Sequence, residues 1–219
     1  MSGVLHVSDL FNPVLKPQHI DFNEKKDKDL INKRILVING AARINGNTDI
    51  ILSELITSAL QADVQIKQID VRKKKINDCI GCYHCKDNTA CSIKDDMVEV
   101  YEEINKSALI IFASPVYWWG VTGIMKVLID RLYLYYSDLN KPYIEGKKAI
   151  IISPMDMNSD IYKIKIFLDF YKIIFDNLKM TLVDTCLFGN VNEKGAIQKN
   201  TEYLNQIDRL GKTLSDRLM

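Results

Sequence analysis

Five short apolar segments, spaced by stretches with helical periodicity, constrain this chain more than any other feature. Residues 35–38 (Ile35, Leu36, Val37, Ile38) form a continuous apolar run that ends at Asn39 and Gly40. A run of this kind suits a strand buried on both faces. Val64, Ile66 and Ile69 alternate enough for a second strand, and residues 108–113, 149–153 and 181–187 supply three more. Between them, residues 47–62 carry Ile50, Ile51, Leu55 and Ile56 at helical spacing, with Asn47 or Thr48 placed to cap. Further helices are expected from Asp95 and Asp96 to about Asn105, and over 122–135, 160–178 and about 195–218. Strands alternating with helices imply an α/β chain built on a doubly wound parallel sheet.

Residues 1–33 lack this pattern. Pro13, Pro17 and the charged stretch 23–29 precede the first core segment. They read as an N-terminal extension or linker, followed by one domain over 34–219. The 29 basic and 28 acidic side chains leave a net charge of +1, which gives no pull toward nucleic acid or an anionic membrane. No apolar run is long enough for a membrane span, and the N-terminus lacks a signal-peptide pattern, so a cytoplasmic protein is expected.

Ligands of open α/β sheets sit beyond the carboxyl ends of the strands, so two loops stand out. After the first strand, Gly40 to Thr48 leads into a helix N-terminus, whose free N–H groups and dipole suit a phosphate. Arg43, Asn45, Asn47 and Thr48 add polar side chains. The segment has neither the G-x-G-x-x-G nor the G-x-x-x-x-G-K-[ST] pattern. After the third strand, Ser114 to Gly123 contains Pro115, Tyr117, both tryptophans (Trp118, Trp119), Gly120 and Gly123. Its flat apolar surface suits a planar aromatic ligand, and its glycines would allow close backbone approach.

Between those loops lie Cys79, Cys82, Cys85 and Cys91, spaced C-x2-C-x2-C-x5-C. Four thiolates this close suit one [4Fe–4S] centre, the longer gap letting Cys91 fold back. A zinc site, a disulfide, or free thiols are the other readings. His84 reads as a solvated loop side chain, and Cys186, on the fifth strand, as a small core residue.

The pattern from Gly40 to Thr48, followed by Ser114 to Arg131, resembles the NADPH-dependent FMN reductase branch of the flavodoxin-like flavoproteins. The intervening cysteines, with Lys94, Asp95, Asp96 and Met97, look like its iron–sulfur flavoprotein subgroup. The resemblance covers residues 34 to about 190. It implies a five-stranded sheet of order 2-1-3-4-5 with helices on both faces, binding FMN, in a homodimer or homotetramer. Ala41, Arg43, Asn45, Asn47 and Thr48 would then hold the FMN phosphate. Pro115, Val116, Tyr117, Trp118 and Gly120 would line the isoalloxazine. Relatives commonly carry Ser and Pro at Ala41 and Ala42, and a Gly-rich turn where this chain has 153–159. Leu128, Leu132, Tyr133 and Tyr135 would offer apolar surface to a second subunit.

The implied activity is electron transfer between a donor, ferredoxin or NAD(P)H, and a small-molecule or protein acceptor, through FMN and a [4Fe–4S] cluster on the four cysteines. A flavin-only NAD(P)H reductase of quinones, nitro- or azo-compounds is one alternative. A zinc-stabilised, non-enzymatic binding module is another. No nucleophile or general base stands out, so no catalytic side chain is assigned.

Overall fold

The computed structural model describes residues 32–159 and 162–219. Apart from Asn32 and Lys33, the N-terminal extension lies outside the described residues. Five strands, β1 (Arg34–Asn39), β2 (Gln65–Asp70), β3 (Leu109–Ala113), β4 (Lys148–Pro154) and β5 (Thr181–Phe188), form one sheet of order β2-β1-β3-β4-β5. Every neighbouring pair is parallel. Among the described residues, α-helices alternate with them: α1 (Asn47–Ala59), α2 (Met97–Asn105), α3 (Gly123–Arg131), α4 (Ile164–Leu178) and α5 (Thr201–Lys212). This is the doubly wound parallel sheet that the alternation implied, in the flavodoxin-like order that the resemblance implied.

Strand periodicity divides the core in two. Ile35, Val37, Leu109, Ile111, Ile150 and Ile152 pack against α1 and α5. Leu36, Ile38, Ile110, Phe112, Ala149 and Ile151 face the other way, toward α2, α3 and α4. The three inner strands are therefore apolar on both faces. Amphipathic α4 buries Ile164, Phe167, Tyr171, Phe175 and Leu178, spaced three and four residues apart, and leaves Ile166 and Ile173 exposed. Among the described residues, no helix is long and apolar enough to cross a membrane.

Several boundaries differ from the sequence expectation. Helix α1 stops at Ala59, with Gly46 rather than Asn47 or Thr48 as its N-cap. The segment after Arg131 tightens into a 3-10 turn, Leu132–Tyr136. The expected last helix is split. Gly195 at φ 81° breaks it first, and Asn200 then caps α5 by accepting from the Tyr203 N–H. The proposed subunit face is also corrected: Leu128, Leu132 and Tyr135 are at most 1% exposed, and Leu132 and Tyr135 join the core beneath α2 and α3. Apolar periodicity alone does not say which apolar face is left over after the core is filled.

Helices α1 and α5 meet closely at Gly211. A Cβ there would lie 2.6 Å from the Leu55 carbonyl oxygen and 2.6 Å from Ser58 Cβ. Backbone on both sides leaves little room to yield, so Gly211→Ala forces the helices apart. We expect a loss of about 2 kcal/mol and a melting temperature lower by roughly 4–8 °C. A thermal melt with an unchanged midpoint would contradict this packing.

Candidate functional site

The two informative loops lie side by side at the carboxyl ends of β1 and β3. These strands are neighbours, while the chain leaves β1 for β2 on its other side, so the loops flank a topological switch point. Thr122 ties them together. Its hydroxyl donates to the Gly40 carbonyl and accepts from the Met125 N–H, while its own N–H donates to Ser114 Oγ. The Gly40 N–H donates to the Ala113 carbonyl at 2.8 Å. Thr122 and Ser114 are both buried, so one side chain both caps α3 and fixes the distance between the loops.

In the first loop, the earliest i→i−4 bond of α1 runs from Ile50 N–H to Gly46 O at 3.1 Å. The amides of Asn47, Thr48 and Asp49 precede it and stand at the positive end of the helix. Asn45 adopts φ 51°, which reverses the chain just before the helix. The Asn47 side chain serves the scaffold: Nδ2 donates to the Val191 and Glu193 carbonyls, both at 2.8 Å, and Oδ1 accepts from the Ile197 N–H at 3.3 Å. Asn47 therefore offers its backbone to the loop and its amide group to the segment after β5. Arg43 donates to the Asn192 carbonyl at 3.1 Å, and the Ala41 N–H donates to Asn39 Oδ1 at 3.1 Å.

Three residues not singled out from the sequence hold this loop in shape. Asp49 accepts from Asn39 Nδ2 and from the Asn45 N–H, each at 2.6 Å, and from both Arg72 amino groups at 2.9 Å. Arg72 also reaches Asp70 and, at 2.7 Å, the Arg43 carbonyl. Burial acts to raise the Asp49 pKa, but the Arg72 and Asn39 hydrogen bonds and the Arg72 charge outweigh it, holding the carboxyl below the ordinary aspartate range. An acid in the first turn of α1 was a legible signal for Asp49. Arg72 carried none, because its partners in the loop, Asp49 and the Arg43 carbonyl, lie 23 and 29 residues away in sequence.

The second loop is a tight reversal. Tyr117 and Gly120 exchange both backbone hydrogen bonds at 2.9 Å. The residues between them, Trp118 and Trp119, both have positive φ, 46° and 64°. Such a turn favours Asn and Gly, and a bulky residue there costs on the order of 1 kcal/mol or more. The tryptophans, and neither Gly120 nor Gly123, adopt the left-handed backbone of this turn. Trp118 is 96% exposed and Tyr117 half-exposed, whereas Val116 is buried and Pro115 partly so. Lys163 lies 5.3 Å from the Trp119 ring centroid.

The cysteines occupy a loop closed at its neck. Lys75 N–H donates to Asp96 Oδ2 at 2.7 Å, Asp96 N–H to the Lys75 carbonyl at 3.2 Å, and Asn77 N–H to Asp95 Oδ2 at 2.8 Å. Buried Asn140 donates to the Cys85 and Asn88 carbonyls, and Tyr83 sits edge-on to Tyr133 at 6.1 Å. Gly81 and Tyr83, on either side of Cys82, have φ 63° and 57°. Cys79 and Cys82 are exposed, Cys85 and Cys91 partly buried, and none of the four is in a disulfide. Burial pushes the Cys85 thiol up, and the charges of Cys91, Cys79 and Cys82 add to it. A hydrogen bond with Ser92, at 3.2 Å, lowers that of Cys82. In this conformation, no three His, Cys, Asp or Glu side chains among the described residues converge as a metal site. The donor set itself, four thiols on one closed loop, is chemically that of a soft metal centre. His84 is exposed and Cys186 buried, as the sequence suggested.

The sequence pattern of a family described as NADPH-dependent FMN reductase matches residues 33–171. An iron–sulfur flavoprotein of Methanocaldococcus jannaschii is 34% identical over 98 residues, covering 45% of this chain and 51% of that protein. The chain thus spans about half the length of that relative. A Bacillus subtilis protein provisionally named an NAD(P)H-dependent FMN-containing oxidoreductase is 29% identical over 181 residues, 81% of this chain and 96% of its own. Among solved structures, the Trp repressor binding protein of Bacillus subtilis shares the fold, with a TM-score of 0.61 and 24% identity over 80% of this chain and 99% of its own.

Proposed function

We propose, since the chain belongs to the NADPH-dependent FMN reductase family, that it is an oxidoreductase passing electrons between FMN and a [4Fe–4S] centre. The observation that carries this reading is that α3 touches both candidate sites. At its N-terminus Thr122 bonds to Gly40 and Ser114; at its C-terminus Arg131 donates to Cys91 Sγ at 3.4 Å. Nine residues at about 1.5 Å each put those ends roughly 13 Å apart.

When bound, FMN exchanges a hydride or single electrons and the cluster one electron at a time, joining two-electron to one-electron carriers. The chain's own groups hold and shield. The first amides of α1, with Arg43, Asn45 and Thr48, would bind the phosphate. Pro115, Val116, Tyr117, Trp118 and Gly120 would flank the ring and restrict water. Cys79, Cys82, Cys85 and Cys91 would ligate iron. NAD(P)H or ferredoxin is the proposed donor, and a homodimer or homotetramer the proposed assembly.

A flavin-only reductase is the second reading, favoured by the similarity, over 81% of this chain, to the Bacillus subtilis protein named as FMN-containing. Anaerobic purification with FMN, iron, sulfide and zinc analysis separates the two. The first reading expects about one FMN with about four iron and four sulfide per chain. FMN without iron, even after reconstitution, would leave the second. Zinc in place of iron would overturn both the cluster and the relay.

A further inference from the structure

The buried Arg131–Asp95 pair lies directly behind the cysteine loop. Its side chains are 1% and 4% exposed. Arg131 Nη1 donates to Asp95 Oδ2 and to the Asn77 carbonyl, both at 2.8 Å. Nη2 donates to Asp95 Oδ1 at 3.3 Å, to the Ile93 carbonyl at 3.5 Å and to Cys91 Sγ at 3.4 Å, while Nε is buried without a partner. A guanidinium matched by one carboxylate therefore presses an N–H onto a sulfur where solvent screening is weak.

We propose that Arg131 is a positioning residue that orients Cys91 as a ligand and raises the one-electron potential of the centre it helps hold, with Asp95 as the opposing charge. This rests on the cluster reading above. An electron arriving from a one-electron reductant makes the ligating sulfurs more negative, and no proton is required there. A cationic donor to sulfur favours that extra charge, and a nearby carboxylate disfavours it. The two members of the pair thus act with opposite signs, which a purely structural clamp would not do.

The test compares wild type, Arg131→Gln, Arg131→Lys and Asp95→Asn, each reconstituted anaerobically with iron and sulfide and titrated by spectroelectrochemistry. Arg131→Gln should lower the reduced-to-oxidised ratio at fixed potential about tenfold, equivalent to about 59 mV for one electron. Asp95→Asn should shift the ratio the other way, and Arg131→Lys should fall between wild type and Arg131→Gln. If Arg131→Gln fails to fold or load, the upward shift of Asp95→Asn still decides. Loaded variants with the wild-type potential would overturn this assignment alone. A wild type that takes FMN but no iron would overturn the cluster reading, and the assignment with it.

Discussion

Replacing Arg72 with Ala should weaken FMN binding about 30-fold, or ~2 kcal/mol, and lower stability by roughly 3 kcal/mol. The guanidinium joins Asp49, Asp70 and the Arg43 carbonyl. Without it, two largely buried carboxylates lose their shared cation. One of them, Asp49, lies in the first turn of α1, where uncompensated negative charge opposes a phosphate. The Arg43 carbonyl also loses its donor, so the loop loosens. Arg72→Lys keeps a charge but not the fork, and should fall between. Because the Asp49 pKa is depressed in the folded protein, its stabilisation is complete above the ordinary aspartate value, about 3.9. It is lost as pH falls through the lower, folded-state pKa. The wild-type loop should therefore loosen, and release FMN, as acid protonates Asp49 and its bonds to Arg72, Asn39 and Asn45 are lost. Fluorescence of released FMN, followed against pH, reads both effects. Wild-type affinity in a destabilised Arg72→Ala would show that Arg72 supports the fold and not the phosphate loop.

Single Cys→Ser substitutions at Cys79, Cys82, Cys85 and Cys91 should each reduce bound iron to near background while leaving FMN content unchanged. The cysteine loop is closed by the Lys75–Asp96 and Asn77–Asp95 bonds and anchored by Asn140, apart from Gly40–Thr48 and from the Trp118–Trp119 turn. Exposed Cys79 and Cys82 have little packing to lose, so their serine variants should stay within about 0.5 kcal/mol of wild type. Iron, sulfide and FMN analysis, with a thermal melt, separates ligand loss from unfolding. Full iron retention in all four variants would exclude these residues as the ligand set. Loss of FMN together with iron would mean that the loops are not independent.

The sheet was legible because its signal is local. Runs such as 35–38 and 149–153 are buried on both faces, so every residue in them is apolar, and the connecting helices show their own period. The two candidate loops were legible because a parallel sheet carries its ligands beyond the carboxyl ends of its strands. Helix ends were less so. Gly46 rather than Asn47 caps α1 because the Asn45 turn and Asp49 set the entry, and Asn47 is drawn to carbonyls 144 and 146 residues away.

Layer order, the places where chemistry can sit and the four thiols sharing one short segment were all readable along the chain. Hydrophobic period and residue type specify these within a few turns of chain. How the sites are held came from the assembled fold: Thr122 locking Gly40 to Ser114, Arg72 closing the first loop, Arg131 meeting Cys91 from a helix 40 residues downstream. Those contacts depend on which buried polar groups find each other once the sheet is assembled. A buried charge or hydrogen-bonding group must be matched wherever the fold places its partner, and sequence spacing carries no record of that place.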